Sequence, residues 1–313
     1  MDTKLDIVAI GETLVEFSTD LKLSKAECLN KYYGGDCLAA SISALRLGSK
    51  VGFITKLGND AFKDYLLENW QNEGLDISQI KFANEQNGLY VIARPTLEEK
   101  EIVYYRKKTA PSKLTIDDIS VDYIKNAEVL YSSGITKSLS ASAAESVDYA
   151  FKIAKDNGVI TAYDPNFCSA IMTGDDARQN FENIIQYVDI FFVNTKCDTI
   201  NVLEMDSVEN IIKALWDRGV STVVIKAEDK GGYYTGCNGN IVFTEFYTKN
   251  IVDTTSAGDA FNGAFLHGIT NGMSAFDASK LASISAGLQA EGIGAIKSIP
   301  YKDQVYSIFK EGY

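Results

Sequence analysis

Short, continuously apolar runs alternate with stretches of helical period almost from end to end of this 313-residue chain, and that alternation limits the fold more than any single motif does. The runs LDIVAIG, VGFITKLG, AEVLYSSG, VITAYDPN, DIFFVN and STVVIKA are rich in β-branched residues. Strands that stay apolar on both alternating faces are strands covered by helices on both sides. Between the runs lie amphipathic segments. One carries Leu38, Ile42 and Leu45 at i, i+4 and i+7, and another, DAFKDYLLENWQNEG, stops on Gly74 as a helix terminator should. SAAESVDYAFKIAKDNG, ARQNFENIIQYV and VENIIKALWDRG continue the series. Repeated βα units of this length predict a doubly wound, mostly parallel α/β sheet, formed by residues 1–313 as one domain.

Two segments break the rhythm. Residues 14–33 alternate like exposed strands, and residues 87–106 read as a hairpin around PTLEEK. Two β pieces inserted at separate points predict a small second sheet acting as a lid or as a dimerisation edge. Period two places Ile102, Tyr104 and Arg106 on one face of the second strand, with Val103 and Tyr105 on the other. Tyr90, Ile92 and Arg94 share a face of the first. A tyrosine and an arginine projecting together make a clamp for a carboxylate or phosphate, or a solvated strand face.

Ligands of open α/β sheets bind beyond the carboxyl ends of the strands. The polar residues there are Gly34-Gly35-Asp36, Asp164-Pro165-Asn166, Asn194, Lys226 and Asp253-Thr254-Thr255. Each alone reads as turn chemistry. Together they are polar groups at one end of successive strands. The stretch IVDTTSAGDAFNGAFLHG, residues 251–268, then opens an apolar helix on Ser-Ala-Gly-Asp. Ser256 as N-cap with Asp259 facing the dipole is one reading. The other is an anion site at the bare N–H groups with Asp259 as a base beside it.

Composition removes other classes. The formal net charge of −12 argues against nucleic acid as a partner. Five scattered cysteines without C-x-x-C spacing suit a reduced, cytoplasmic protein, and the single histidine, His267, leaves little room for zinc or a Ser-His-Asp triad. The N-terminal segment is too acidic for a signal peptide, and no run is long enough to span a membrane. There is neither a P-loop motif nor G-x-G-x-x-G after the first strand.

At this point YGGDCLAASISALRLG and DTTSAGDAFNGAFLHG resemble the two signatures of the ribokinase-type (PfkB) carbohydrate kinases, and the likeness covers essentially the whole chain, with SISAGLQAEGIGAIKSIP closing it. Within that family LYVIARP, IVYYRKKTAPSKL and SSGIT look most like 2-keto-3-deoxygluconate kinases. The resemblance implies a ribokinase-like fold and ATP-dependent transfer of a phosphoryl group to a sugar hydroxyl. Asp259 would be the base, and the N–H groups of Ala257, Gly258 and Asp259, led by Ser256, the anion hole. Gly34, Gly35 and Asp36 would line the sugar site, with Tyr90, Tyr104 and Arg106 descending from the lid and Arg106 meeting a substrate carboxylate. Asn194, Lys226, Gly231, Thr254 and Thr255 would lie along the nucleotide, and Mg²⁺ would bridge its phosphates, with no protein ligand of the metal assigned. Some members bind K⁺ near the positions of Asp253 and Thr255. A homodimer through the lid is the implied assembly. A fructokinase or other neutral-sugar kinase, or a kinase-like protein with little turnover, are the alternatives.

Several positions depart from the pattern. Ala39 stands for an asparagine, Cys168 for an arginine after DPNF, Cys197 for a glutamate with Asp198 beside it, and Glu228 for a glycine. Ser256 stands for a glycine, so the anion hole is expected to survive only if φ there stays negative. An acid-sugar pocket calls for a second cation near Arg106, with Arg94 and Lys107 the candidates. His267, Trp70 and Trp216 read as packing residues.

Overall fold

The computed structural model describes residues 4–96, 99–248 and 250–312. Among the described residues, thirteen strands and ten α-helices follow in chain order. The strands are β1 (Leu5–Ile10), β2 (Leu14–Thr19), β3 (Asn30–Gly34), β4 (Val51–Gly58), β5 (Ile80–Ala83), β6 (Gly88–Ala93) and β7 (Glu101–Tyr105), then β8 (Ala127–Ser133), β9 (Ile160–Asp164), β10 (Ile190–Asn194), β11 (Thr222–Ala227), β12 (Gly232–Cys237) and β13 (Asn240–Glu245). The helices are α1 (Asp36–Leu47), α2 (Lys63–Glu73), α3 (Val121–Lys125), α4 (Gly134–Lys137) and α5 (Ala141–Asp156), then α6 (Gly174–Ile184), α7 (Val208–Asp217), α8 (Ala257–Thr270), α9 (Ala275–Ala290) and α10 (Lys302–Lys310).

Nine strands form the main sheet in the order β13-β12-β11-β10-β9-β8-β1-β4-β5. Pairing is parallel from β5 to β11, and β12 and β13 extend the edge as an antiparallel hairpin. The expected doubly wound sheet is present, and each buried strand feeds two cores. Ile7 and Ala9 of β1 pack with α1, α8 and α9, whereas Val8 and Ile10 pack with residues of α5 and α6. Phe192 and Val224 join the first core, while Phe191, Val193, Val223 and Ile225 join the second. Helix α2 ends at Gly74, whose φ of 85° is the left-handed cap that glycine adopts without strain. The chain leaves β1 for β4 and β5 and then returns to β8, which places the topological switch beside β1, where such sheets carry their ligands.

The two interrupting segments form one small mixed sheet, β3-β2-β6-β7, with β2 and β6 parallel. The expected hairpin is β6–β7; the Leu97–Glu98 part of its turn lies outside the described residues. Leu14, Tyr90 and Ile92 form its covered face with Ile102 and Tyr104, and Val103 and Tyr105 are exposed, as the alternation requires. His267 is buried between Ser49 and Tyr306, and Trp70 packs on Phe53, as packing residues. Among the described residues no helix is long and apolar enough to cross a membrane.

Candidate active site

Helix α8 starts where the carboxyl ends of β9, β10 and β11 converge, and its first turn faces a cleft of about 580 Å³. Ser256 occupies the N-cap position but makes no side-chain cap bond, and its φ is 64°. The simple capping reading therefore fails, and so does the condition that φ stay negative. The helix forms regardless, because serine tolerates the left-handed region at a cost of about 1–2 kcal/mol. The Ala257 N–H donates to the Thr254 carbonyl at 3.1 Å. Ala257 thus drops out of the expected trio of donors, and the Gly258 and Asp259 N–H groups remain at the cleft.

Four carboxylates and one lysine surround that turn. Lys226, at the end of β11, sends its ammonium inward to Asp164 at 2.5 Å rather than leaving it free in the cleft, although it lines the wall. Asn262, one turn along α8, donates to the same Asp164 oxygen at 2.6 Å and to Tyr131 at 3.1 Å. Asp198 accepts the N–H groups of Phe167 and Asn194 at 2.7 and 2.8 Å, which ties the β9 and β10 loops together. The Asn166 amide lies 3.3 Å from Asp36 and 3.5 Å from Asp259, and so bridges α1 to α8. Burial, then the neighbouring Asp36, pushes the Asp259 carboxyl up to about 8, against the pull of Lys226. Burial, then Asp164, raises Asp198 to about 7, and burial raises Asp36 as well.

These shifts carry a stability consequence. A carboxyl raised from 3.8 to about 8 holds its proton in the folded chain where the unfolded chain has lost it. The stability contributed by that proton is full below the ordinary carboxylate range and is lost as pH rises to about 8. Asp259→Asn, which has no such proton to lose, is expected to gain several degrees in melting temperature relative to the parent chain between pH 5 and pH 8.5. Equal melting differences at both pH values in differential scanning calorimetry would remove the assigned shift.

The small sheet packs over the loop after β1 and the glycines that lead into α1. Gly35 has φ 135°, and a side chain there would strike the Glu12 carbonyl at 2.5 Å, so the backbone comes close to the loop after β1. Tyr90 donates to Glu16 and lies against Gly34. Tyr104 packs on Tyr90 with ring centroids 6.0 Å apart and sits under the Arg106 guanidinium. Arg106 is buried and ion-paired with the fully buried Glu12, and burial lowers it to about 10. Cys168 is close enough to act electrostatically on both Tyr104 and Arg106. Of the two candidates for a second cation, Arg94 pairs with Asp253 at 2.8 Å and with Glu16 at 3.7 Å, and Lys107 is exposed.

The cleft itself is walled by Asn194, Lys196, Gly231, Gly232, Tyr233 and Thr254. Asn194, Gly231 and Thr254, expected along a nucleotide, are brought together in this wall. Thr255 is not in the wall. Its hydroxyl accepts from Arg94 and Lys100, its N–H donates to Asp253, and its carbonyl accepts from Gln289. Arg94 and Lys100 also fill the surroundings of Asp253 and Thr255 where a K⁺ ion was considered. Of Glu228, only its place in a short 3-10 turn is described. The sequence reading missed Glu12, Glu16, Asn166 as a bridge, and Asn262. Two glutamates inside the strand-like GETLVEF were the available signal for the first two.

Among the described residues no three His, Cys, Asp or Glu side chains form a metal-holding group. The open, glycine-edged cleft beside a helix N-terminus fits a phosphate chain that brings its own divalent ion.

A family model described as "pfkB family carbohydrate kinase" matches residues 4–302. The chain is 28% identical to the 5-dehydro-2-deoxygluconokinase of Clostridium beijerinckii, covering 98% of this chain and 94% of that protein. It is 28% identical to fructokinase-1 of Zea mays, covering 97% and 98%. The crystal structure of 2-dehydro-3-deoxygluconokinase from Thermotoga maritima superposes with a TM-score of 0.88 at 22% identity, over 98% and 99% of the two chains.

Proposed function

Because the chain belongs to the pfkB family of carbohydrate kinases, we propose that it moves the γ-phosphoryl group of ATP onto a hydroxyl of a small sugar, with Asp259 as the base. The observation that carries this reading is the pairing of a raised, cleft-facing carboxyl with two helix-start N–H groups in the same turn. Ionised Asp259 takes the hydroxyl proton, the sugar oxygen bonds to the γ-phosphorus, and the bond to the bridging oxygen of ADP breaks. The Gly258 and Asp259 N–H groups and the positive end of α8 stabilise charge on the transferring group. Lys226 keeps Asp259 ionisable by offsetting its carboxylate neighbours. Mg²⁺ bound with the nucleotide would supply charge neutralisation on the phosphates, and Asn194 and Asp198, at the end of β10 and in the loop after it, would hold it through water. The lid residues Tyr90 and Tyr104 exclude water from the sugar.

The first sugar class is a keto-deoxy sugar acid, supported by the 5-dehydro-2-deoxygluconokinase relative and by the buried Arg106. A neutral ketose is the second reading. It is supported by the fructokinase relative and by one observation in the pocket, that Glu12 already matches the charge of Arg106. Sugar-dependent ADP release, measured on 2-keto-3-deoxygluconate, 5-keto-2-deoxygluconate, fructose and ribose, tests both. Turnover on the acids selects the first reading, turnover on fructose the second, and no turnover on a wider sugar panel sinks the kinase assignment. Arg106→Ala should raise KM for a sugar acid by about 10- to 100-fold, the worth of a charge-assisted bond, and far less for fructose. Equal effects on both sugars would remove the carboxylate clamp.

A further inference from the structure

The left-handed serine before α8 needs something to hold it, and the groups that do so come from the lid. A non-glycine residue at φ 64° persists only where its surroundings over-determine it. Asp253 and Thr255, ahead of Ser256, are held in that way. Arg94, which follows the lid strand carrying Tyr90, places its Nε 2.8 Å from Asp253 Oδ2. Its Nη2 donates to Thr255 Oγ1 at 3.2 Å and its Nη1 to Ser18 Oγ of the lid at 2.9 Å. Lys100, just before β7, donates to Thr255 Oγ1 at 2.7 Å. Asp253 Oδ1 receives the Thr255 N–H at 3.0 Å, and Gln289 holds the Thr255 carbonyl at 2.6 Å. Arg94 is nearly buried and is shared between Asp253 and Glu16, the carboxylate that also takes the Tyr90 hydroxyl.

We propose that Arg94 is a positioning residue, reaching from the lid to clamp residues 253–255 so that Ser256 is held in its left-handed conformation with the Gly258 and Asp259 N–H groups aimed into the cleft. Seating of the lid and assembly of the phosphoryl site are then one event. The inference rests on the kinase reading above for its kinetic test but not for its structural one.

The test is a double-mutant cycle with Arg94→Lys, Ser256→Gly and the pair. Lysine keeps a charge between Glu16 and Asp253 but cannot span Ser18, Asp253 and Thr255 together, so the variant avoids leaving two buried carboxylates bare. In the parent chain Arg94→Lys should lower kcat by about 10- to 100-fold while KM for ATP changes less than about threefold. In the Ser256→Gly background the same substitution should cost less than about threefold, because glycine takes a positive φ unaided. Equal losses in both backgrounds, or no loss at all, would overturn the clamp. If the parent chain itself releases no ADP with any sugar, the kinase reading has failed separately. Amide exchange then decides the clamp alone: it should quicken across residues 253–259 in Arg94→Lys, and unchanged exchange there would overturn it.

Discussion

Asp259→Asn is expected to lower kcat by about 10²- to 10⁴-fold while ATP binds at least as tightly as to the parent chain. The side chains are nearly isosteric, so α8 and its N–H groups stay in place, and only the proton acceptor is lost. ATP affinity should hold or rise for a separate reason. Below about pH 8 the Asp259 carboxyl already holds its proton, so asparagine leaves the charge met by the phosphates unchanged there, and above that pH it removes one like charge. Steady-state kinetics and calorimetric ATP binding on the same preparation separate the two effects. A variant with parental kcat would end the assignment of Asp259 as base.

Gly263→Ala is expected to cost about 3–5 kcal/mol of stability and to lower the melting temperature by about 10 °C. Gly263 lies one turn past Asp259, on the face of α8 that rests against α1. A methyl group there would sit 2.0 Å from the Ala40 carbonyl oxygen and 2.8 Å from the Ser43 side chain. Ser43 in turn donates to the Ala260 carbonyl at 2.8 Å, so the helices touch backbone to backbone and cannot yield by a rotamer change. Relief requires α1 and α8 to separate, and these are the helices that carry Asp36 and Asp259. The variant should therefore lose turnover as well as stability. A melting temperature within about 2 °C of the parent would show that the helix contact is softer than described.

The main sheet was readable because strand and helix carry different periods, and six of its strands were visible as apolar runs covered on both faces. The hairpin β12–β13 was less visible. Its outer strand is half exposed, so its residues carry a mixed pattern. On the small sheet, period two fixed the faces of Ile102 and Tyr104 correctly because that rule is local. What failed was partner choice. Arg106 was legible as an inward cation, but its pairing with Glu12 depends on how the lid folds over the loop after β1. Lys226 was legible at a strand end, but its turn toward Asp164 depends on the register of β9, β10 and β11. Thr255 looked like Thr254 in the sequence; only the lid distinguishes them. Residue type and local period mark a polar group as special, while tertiary contacts decide which charge it meets.

Product identification by phosphorus NMR tests the central claim most directly, with the protein, ATP, Mg²⁺ and the sugar panel in one sample. The account predicts a sugar phosphomonoester resonance growing in step with ADP for at least one sugar, and its disappearance in Asp259→Asn. ADP growing with inorganic phosphate alone, or a sugar phosphate formed equally well by Asp259→Asn, would contradict it.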